Sequence, residues 1–441
     1  MFLDLYVKTI LSSKDRPSQA SSEAFKPLFL DMGHEDFKNI VIPSCIRMLK
    51  RNPEIVLQSI GYLLKTVRLD LSKYYMEFMP VLLHQARHSV EERRIIALST
   101  VGILSGKSSD PDTLPSMFNA IKAILGGSEG KLSLPYQRIG MINALEQLSR
   151  SPPKQISRLA PSLSSFLLTC YKDDGIEEVK LAILSALGSW ASVSTETVQP
   201  DVVSFIAAGL KEKDTLRKGH LKLIRAICKK SDSLTKYMEE NETSDLVQTL
   251  LSMGTLPNWC TRHGALLTFC SISMHCSSKL CCSTSFPSIV DLLKDSLKDD
   301  KFPVREASTK TLVRLLCYQL QSEASTLQLI QLLVLALHDD SSEVRRRSLS
   351  CLKAAAKINT SALATHLSIL GPAIAETLND ASTPVRVAAE RCALHVFQLT
   401  KGADNVTIAQ KHLNMTGLEV RKIAKLPEES DGSESSYDDR T

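Results

Sequence analysis

The second half of this chain repeats itself about every forty residues, and that period restricts its fold more than any other feature. Aligning DDKFPVREASTKTLVRLL from Asp299, DDSSEVRRRSLSCLKAAA from Asp339 and NDASTPVRVAAERCALHVF from Asn379 puts Asp300, Asp340 and Asp380 at 40-residue steps. Arg305, Arg345 and Arg386 follow at steps of 40 and 41, and NWCTRHGALLTF supplies a looser copy with Arg262 lying 43 residues before Arg305. A period in this range, with two helices per unit, predicts an all-α solenoid of stacked helical hairpins of the HEAT or armadillo kind.

Each copy reads as a helix, a short acidic turn and a second helix. In the last copy Val385, Ala388, Ala389, Cys392, Val396 and Leu399 recur at helical spacing and form one apolar face. Pro303 and Pro384 fall at helix starts, where a missing N–H costs little. Val304, Val344 and Val385 are expected at equivalent buried sites. Ala307, Ala354 and Ala388 are expected to line the inner face, where small side chains allow close helix approach. A single hairpin cannot bury such a face, so the units must stack. KDDGIEEVKLAILSALGSW from Lys172 and VEERRIIALSTVGILSG from Val90 repeat the idea more loosely. We therefore expect one array over 1–235, a junction over 236–255, a second array over 256–400, a terminal helix over 401–426 and a disordered acidic tail over 427–441.

Composition supports this reading. Apolar residues make up 43% of the 441, aromatics only 5%, and Gly and Pro number 18 each, too few turn formers for a sandwich or barrel. The net charge of +5 is uneven. The tail carries Glu428, Glu429, Asp431, Glu434, Asp438 and Asp439 against Arg440 alone, which leaves a mildly basic body. Eleven cysteines scattered through apolar periodic segments predict reduced core thiols in a cytosolic protein. The most apolar run, Leu327 to Leu337, is too short to span a bilayer.

Motifs of catalysis fail on inspection. GGSEGK near Gly126 lacks the first glycine and the terminal Ser or Thr of a phosphate loop, so an inter-helix turn is expected. Cys270, His275, Cys276, Cys281 and Cys282 cluster without C-x-x-C spacing. No enzyme activity, cofactor or metal is expected. Arg262, Arg305, Arg345 and Arg386, with Asp300, Asp340 and Asp380, are expected to form a structural ladder between successive repeats. The better surface candidate is KEKDTLRKGHLKLIRAICKK from Lys211. Lys218, Lys222, Arg225 and Lys229 share one helical face there, opposite Leu216, Leu223, Ile224 and Ile227. Such a basic stripe suits phosphates, without aromatics for base stacking, and a plain solvated face is the competing reading. Ser435 and Ser436, each with an aspartate three residues on, suit an acid-directed kinase.

Two blocks resemble the general control nonderepressible 1 family, the giant HEAT-repeat translational activator. LDLYVKTILSSK, MGHEDFKNIVIPSCIRMLKRNPEIVL and AILGGSEGKL are similar to its N-terminal region. DLVQTLLSMGTLPNWCTRHGALLTF, PVREASTKTLVRLL and PVRVAAERCALHVFQLTKG are similar to its C-terminal end, and most to plant members. The resemblance implies a cytoplasmic (cytosolic) scaffold that binds ribosomes and helps activate the initiation factor 2 alpha kinase. It also implies an ABC-type partner ATPase, and neither membrane nor DNA as a partner. The join near residues 231–240 passes directly from one end of the family to the other, so the kinase and ATPase contact regions have no counterpart here. A tubulin-binding TOG-like array or a nuclear-transport adaptor is the alternative class.

Overall fold

The computed structural model describes residues 2–13, 17–228, 244–275, 285–317, 323–358 and 360–398. Among them every regular element is helical and none is a strand. The chain divides into two compact units, Met1–Glu240 and Asn241–Thr441. Residues 236–243 of the expected junction, the terminal helix and the acidic tail lie outside the described residues.

In the first unit the hairpins are Ile42–Arg51 with Pro53–Thr66, Tyr75–Ala86 with Glu91–Gly106, Thr113–Leu125 with Pro135–Gln147, Pro153–Asp173 with Glu177–Ala191, and Pro200–Gly209 with Asp214–Cys228. The second helix of each packs on the second helix of the next, forming one continuous layer. The second unit repeats the plan with Ser244–Met253 and Trp259–His275, Phe286–Ser296 and Phe302–Cys317, Glu323–Leu337 and Ser342–Ile358, and Leu367–Leu378 and Thr383–Gln398. Stacking buries the apolar stripes that the forty-residue period encodes. Pro80, Pro161 and Pro372 interrupt first helices only, each removing one backbone donor.

Val304, Val344 and Val385 are all fully buried. The small-residue column falls one position after Ala307 and Ala388, and six before Ala354. Ala265, Ser308, Ser348 and Ala389 are sealed in the core, whereas Ala354 and Ala388 are half-exposed and only Ala307 is buried. Four residues separate each buried valine from this column, so both lie on one helical line, and Ser308 and Ser348 face the first helix of their own hairpins. The hydroxyl of Ser308 donates to the Leu293 carbonyl at 2.9 Å, which allows a polar side chain in that column.

GGSEGK forms the turn before Pro135–Gln147. Gly127 and Gly130 take φ of +93° and +96°, a region that other residues rarely adopt. Glu129 in this turn pairs with Arg87 at 2.6 Å. Among the described glycines the tightest site is Gly140, where an added Cβ would stand 1.9 Å from the carbonyl oxygen of Ala86.

Candidate functional site

The turn between the two helices of each hairpin carries a recurrent polar arrangement. Arg305 shows its parts. Its Nη1 donates to the Asp299 carbonyl of its own turn at 2.8 Å, while Nε and Nη2 fork onto the Asp339 carboxylate of the next turn at 2.7 and 2.9 Å. Arg262 forks onto Asp299 at 2.6 and 2.9 Å, and Arg345 onto Asp380 at 2.6 and 2.9 Å. The acceptors are only 6 to 8% exposed, so these are largely desolvated, charge-assisted pairs.

The predicted carboxylates need correction at two of three positions. Asp299 and Asp339 take the forks in place of Asp300 and Asp340, while Asp380 does take one. Each working aspartate also accepts, on Oδ1, the backbone N–H two residues on: Lys301, Ser341 and Ser382 at 2.8 to 2.9 Å. That bond turns the first aspartate of the pair toward the neighbouring turn. Asp300 is left 70% exposed and touches Arg262 only at 3.4 Å, and Asp340 offers Arg345 its backbone carbonyl at 3.1 Å. Desolvation raises the Asp299 pKa, but hydrogen bonds from Arg262 and the turn outweigh it and leave a net lowering. The Arg345 fork lowers that of Asp380. The first unit holds a rung that sequence reading missed. Arg138 forks onto Asp174 at 2.7 and 3.4 Å, over 36 residues, against 34 to 37 in the second unit. That common spacing was the available signal. The fork charges are satisfied inside the fold.

On Asp214–Cys228, Lys218 and Lys222 are exposed and Arg225 is half-buried, while Leu216, Leu223, Ile224 and Ile227 are buried. Lys229 lies outside the described residues, as do Cys276, Cys281, Cys282, Ser435 and Ser436. Among the described residues no group of three or more His, Cys, Asp or Glu could hold a metal ion, and no helix is long and apolar enough to cross a membrane.

The same helix buries His220 completely. The Tyr171 hydroxyl donates to Glu212 at 3.0 Å and lies 3.2 Å from His220 Nε2. One hydroxyl proton cannot serve both, so Nε2 carries the imidazole proton and donates to Tyr171. Nδ1 is then a buried acceptor with no partner. His220 falls four residues after Leu216 and three before Leu223, so apolar periodicity marked it as a core position. Burial pushes its pKa down from 6.5 to about 4. The folded state therefore favours neutral imidazole, and the unfolded chain takes up the proton first. Stability from this site is complete above pH 6.5 and is lost as pH falls from there to about 4, with a slope approaching 1.4 kcal/mol per unit. Acid titration of the unfolding free energy should show this slope in the parent and lose it in His220→Gln.

These features define a class: a HEAT-repeat α-solenoid whose hairpins are stapled along their turns. Residues 1–132 match the family model described as Stalled ribosome sensor GCN1 N-terminal, and residues 262–412 match GCN1-like, C-terminal HEAT repeats. The chain belongs to the GCN1 family. Protein ILITYHIA of Arabidopsis thaliana is 51% identical over 254 residues, covering 57% of this chain and 9% of that protein. Stalled ribosome sensor GCN1 of Mus musculus is 33% identical over 147 residues, covering 33% of this chain and 6% of the mouse protein. The chain thus spans less than a tenth of either relative. Yeast importin-beta shares the fold, with a TM-score of 0.62 and 15% identity over 93% of this chain and 51% of importin-beta.

Proposed function

We propose that this chain is a cytosolic, ribosome-associated scaffold in translational control that binds ribosomes without activating the initiation factor 2 alpha kinase. The observation that carries the reading is the match of residues 1–132 to the N-terminal region of a stalled ribosome sensor. The second match, 262–412, is to the family's C-terminal repeats. The middle of the family, with its contacts to the kinase and the ABC-type ATPase, has no counterpart between them. Activation through a scaffold needs ribosome and kinase held by one molecule, because the linkage supplies the effective concentration. This chain supplies the ribosome arm.

The exposed Lys218 and Lys222, with Arg225 and, by its sequence spacing, Lys229, are the local candidates for phosphate contact on ribosomal RNA. Co-sedimentation with polysomes across a salt series tests this. Reversing the four charges should weaken binding and flatten its salt dependence, since fewer counterions are released. The core face of Leu223, Ile224 and Ile227 is untouched, so the helical spectrum should persist. Binding indifferent to the reversal would remove the stripe from the mechanism. Co-sedimentation with microtubules instead of polysomes would replace this reading with the tubulin-binding one. In starved cells lacking the full-length activator, the chain should leave initiation factor 2 alpha unphosphorylated; restored phosphorylation would show that these segments suffice.

A further inference from the structure

The rungs of the second unit end on an arginine that repeats only half of the pattern. Arg386 Nη1 donates to the carbonyls of Asp380 and Ala381 at 2.6 and 3.1 Å, as its predecessors do in their own turns. The edge that forks onto a carboxylate in Arg262, Arg305 and Arg345 instead meets only the Thr383 hydroxyl, at 2.8 Å from Nη2. No carboxylate among the described residues takes its place. The rung spacing of 34 to 37 residues would put the next acceptor at 420–423, and Val420, Arg421, Lys422 and Ile423 stand there. No acid arrives in register.

One acid of the right form occurs later. The pair Asp-Asp appears four times in the chain, at 173–174, 299–300, 339–340 and 438–439. Each of the first three pairs supplies a rung carboxylate: Asp174, Asp299 and Asp339. The fourth, Asp438-Asp439-Arg440, closely repeats Asp299-Asp300-Lys301 within the most acidic stretch of the chain. We propose that the Asp438-Asp439 segment docks on the open edge of Arg386 as a surrogate rung. It would present one carboxylate to Nε and Nη2 and receive its own turn amide on that carboxylate. Arg386 lies twelve residues before Gln398, about 18 Å along the helix, whereas forty residues separate Gln398 from Asp438. Even wholly helical, those forty residues would span about 60 Å, so the segment reaches without strain. The tether also favours this occupant over an untethered acidic peptide of equal charge.

Hydrogen–deuterium exchange on the full chain at low salt tests the docking. Amides of 438–441 should exchange roughly fivefold more slowly in the parent than in Arg386→Gln, a ratio at the low end for coupled sites. Asp438→Asn with Asp439→Asn should lose the same protection, and salt near 0.5 M should remove it from the parent. The tail variant leaves the last hairpin untouched, so it decides the matter even if Arg386→Gln loosens that hairpin. Equal exchange in the parent and the tail variant would overturn the proposal. So would protection that survives Arg386→Gln, or protection that grows with protein concentration, which would assign the contact to a second copy.

Discussion

Gly140→Ala should cost the first unit about 4 kcal/mol, above the usual range of ~1–3 kcal/mol for overpacking. The new Cβ would stand 1.9 Å from the Ala86 carbonyl oxygen and 2.9 Å from its carbon. Both partners are backbone, so no side-chain rotation relieves the contact, and helix Pro135–Gln147 must move away from helix Tyr75–Ala86. That displacement also disturbs the neighbouring rung at Arg138 and the Trp190 indole, which donates to the Leu145 carbonyl at 2.8 Å. Trp190 is fully buried and is one of only two tryptophans, so its emission reports this unit. Urea unfolding followed by that emission should show a large fall in midpoint. Gly175→Ala is the control: nothing lies within 4 Å of its added Cβ, and it should change stability by less than about 1 kcal/mol. Equal midpoints for Gly140→Ala and the parent would mean that the two helices do not approach as described.

Arg305→Gln should destabilise the second unit by about 3–5 kcal/mol, the usual cost of leaving one member of a buried pair alone. Asp339 is 6% exposed and would keep only the Ser341 amide at 2.8 Å. Removing both charges, as Arg305→Met with Asp339→Leu, should recover most of the loss, because the desolvation penalty goes with the charges. Arg386→Gln breaks no carboxylate pair among the described residues and should cost no more than about 1 kcal/mol. Thermal melting by circular dichroism ranks the three. A loss at Arg386 as large as at Arg305 would show that the fork contributes little beyond the carbonyl bonds both arginines make. The rungs also carry a pH signature. Asp299 and Asp380 titrate below the ordinary 3.8, so their contribution is complete above that value and is lost as pH falls through the lowered ones. This acid loss lies below the His220 window, and the two should appear as separate steps.

Much of the architecture could be read from the residues alone. Val304, Val344 and Val385 are equivalent and buried because period and helical face are local properties, fixed once 3.6 residues make a turn. The basic face of Asp214–Cys228 was equally legible: Lys218 and Lys222 are exposed and Leu223 and Ile224 buried, as their spacing requires. His220 is polar in type, yet its spacing of four from Leu216 and three from Leu223 places it with them on the buried face.

What the sequence determined by itself is therefore what one helix knows: the repeat, the buried stripe, the acidic turn and the arginine after it. Which aspartate holds that arginine was left to the tertiary structure. Asp299 and Asp300 are neighbours of identical chemistry, and only the backbone N–H of Lys301, bonded to Asp299, turns one inward and leaves the other in water. The same holds for Gly140, whose missing side chain has no local role in its helix. Its reason lies in the Ala86 carbonyl, 54 positions earlier in the chain. Contacts between hairpins depend on where loops of unequal length deliver each turn, and a helical period carries no record of that.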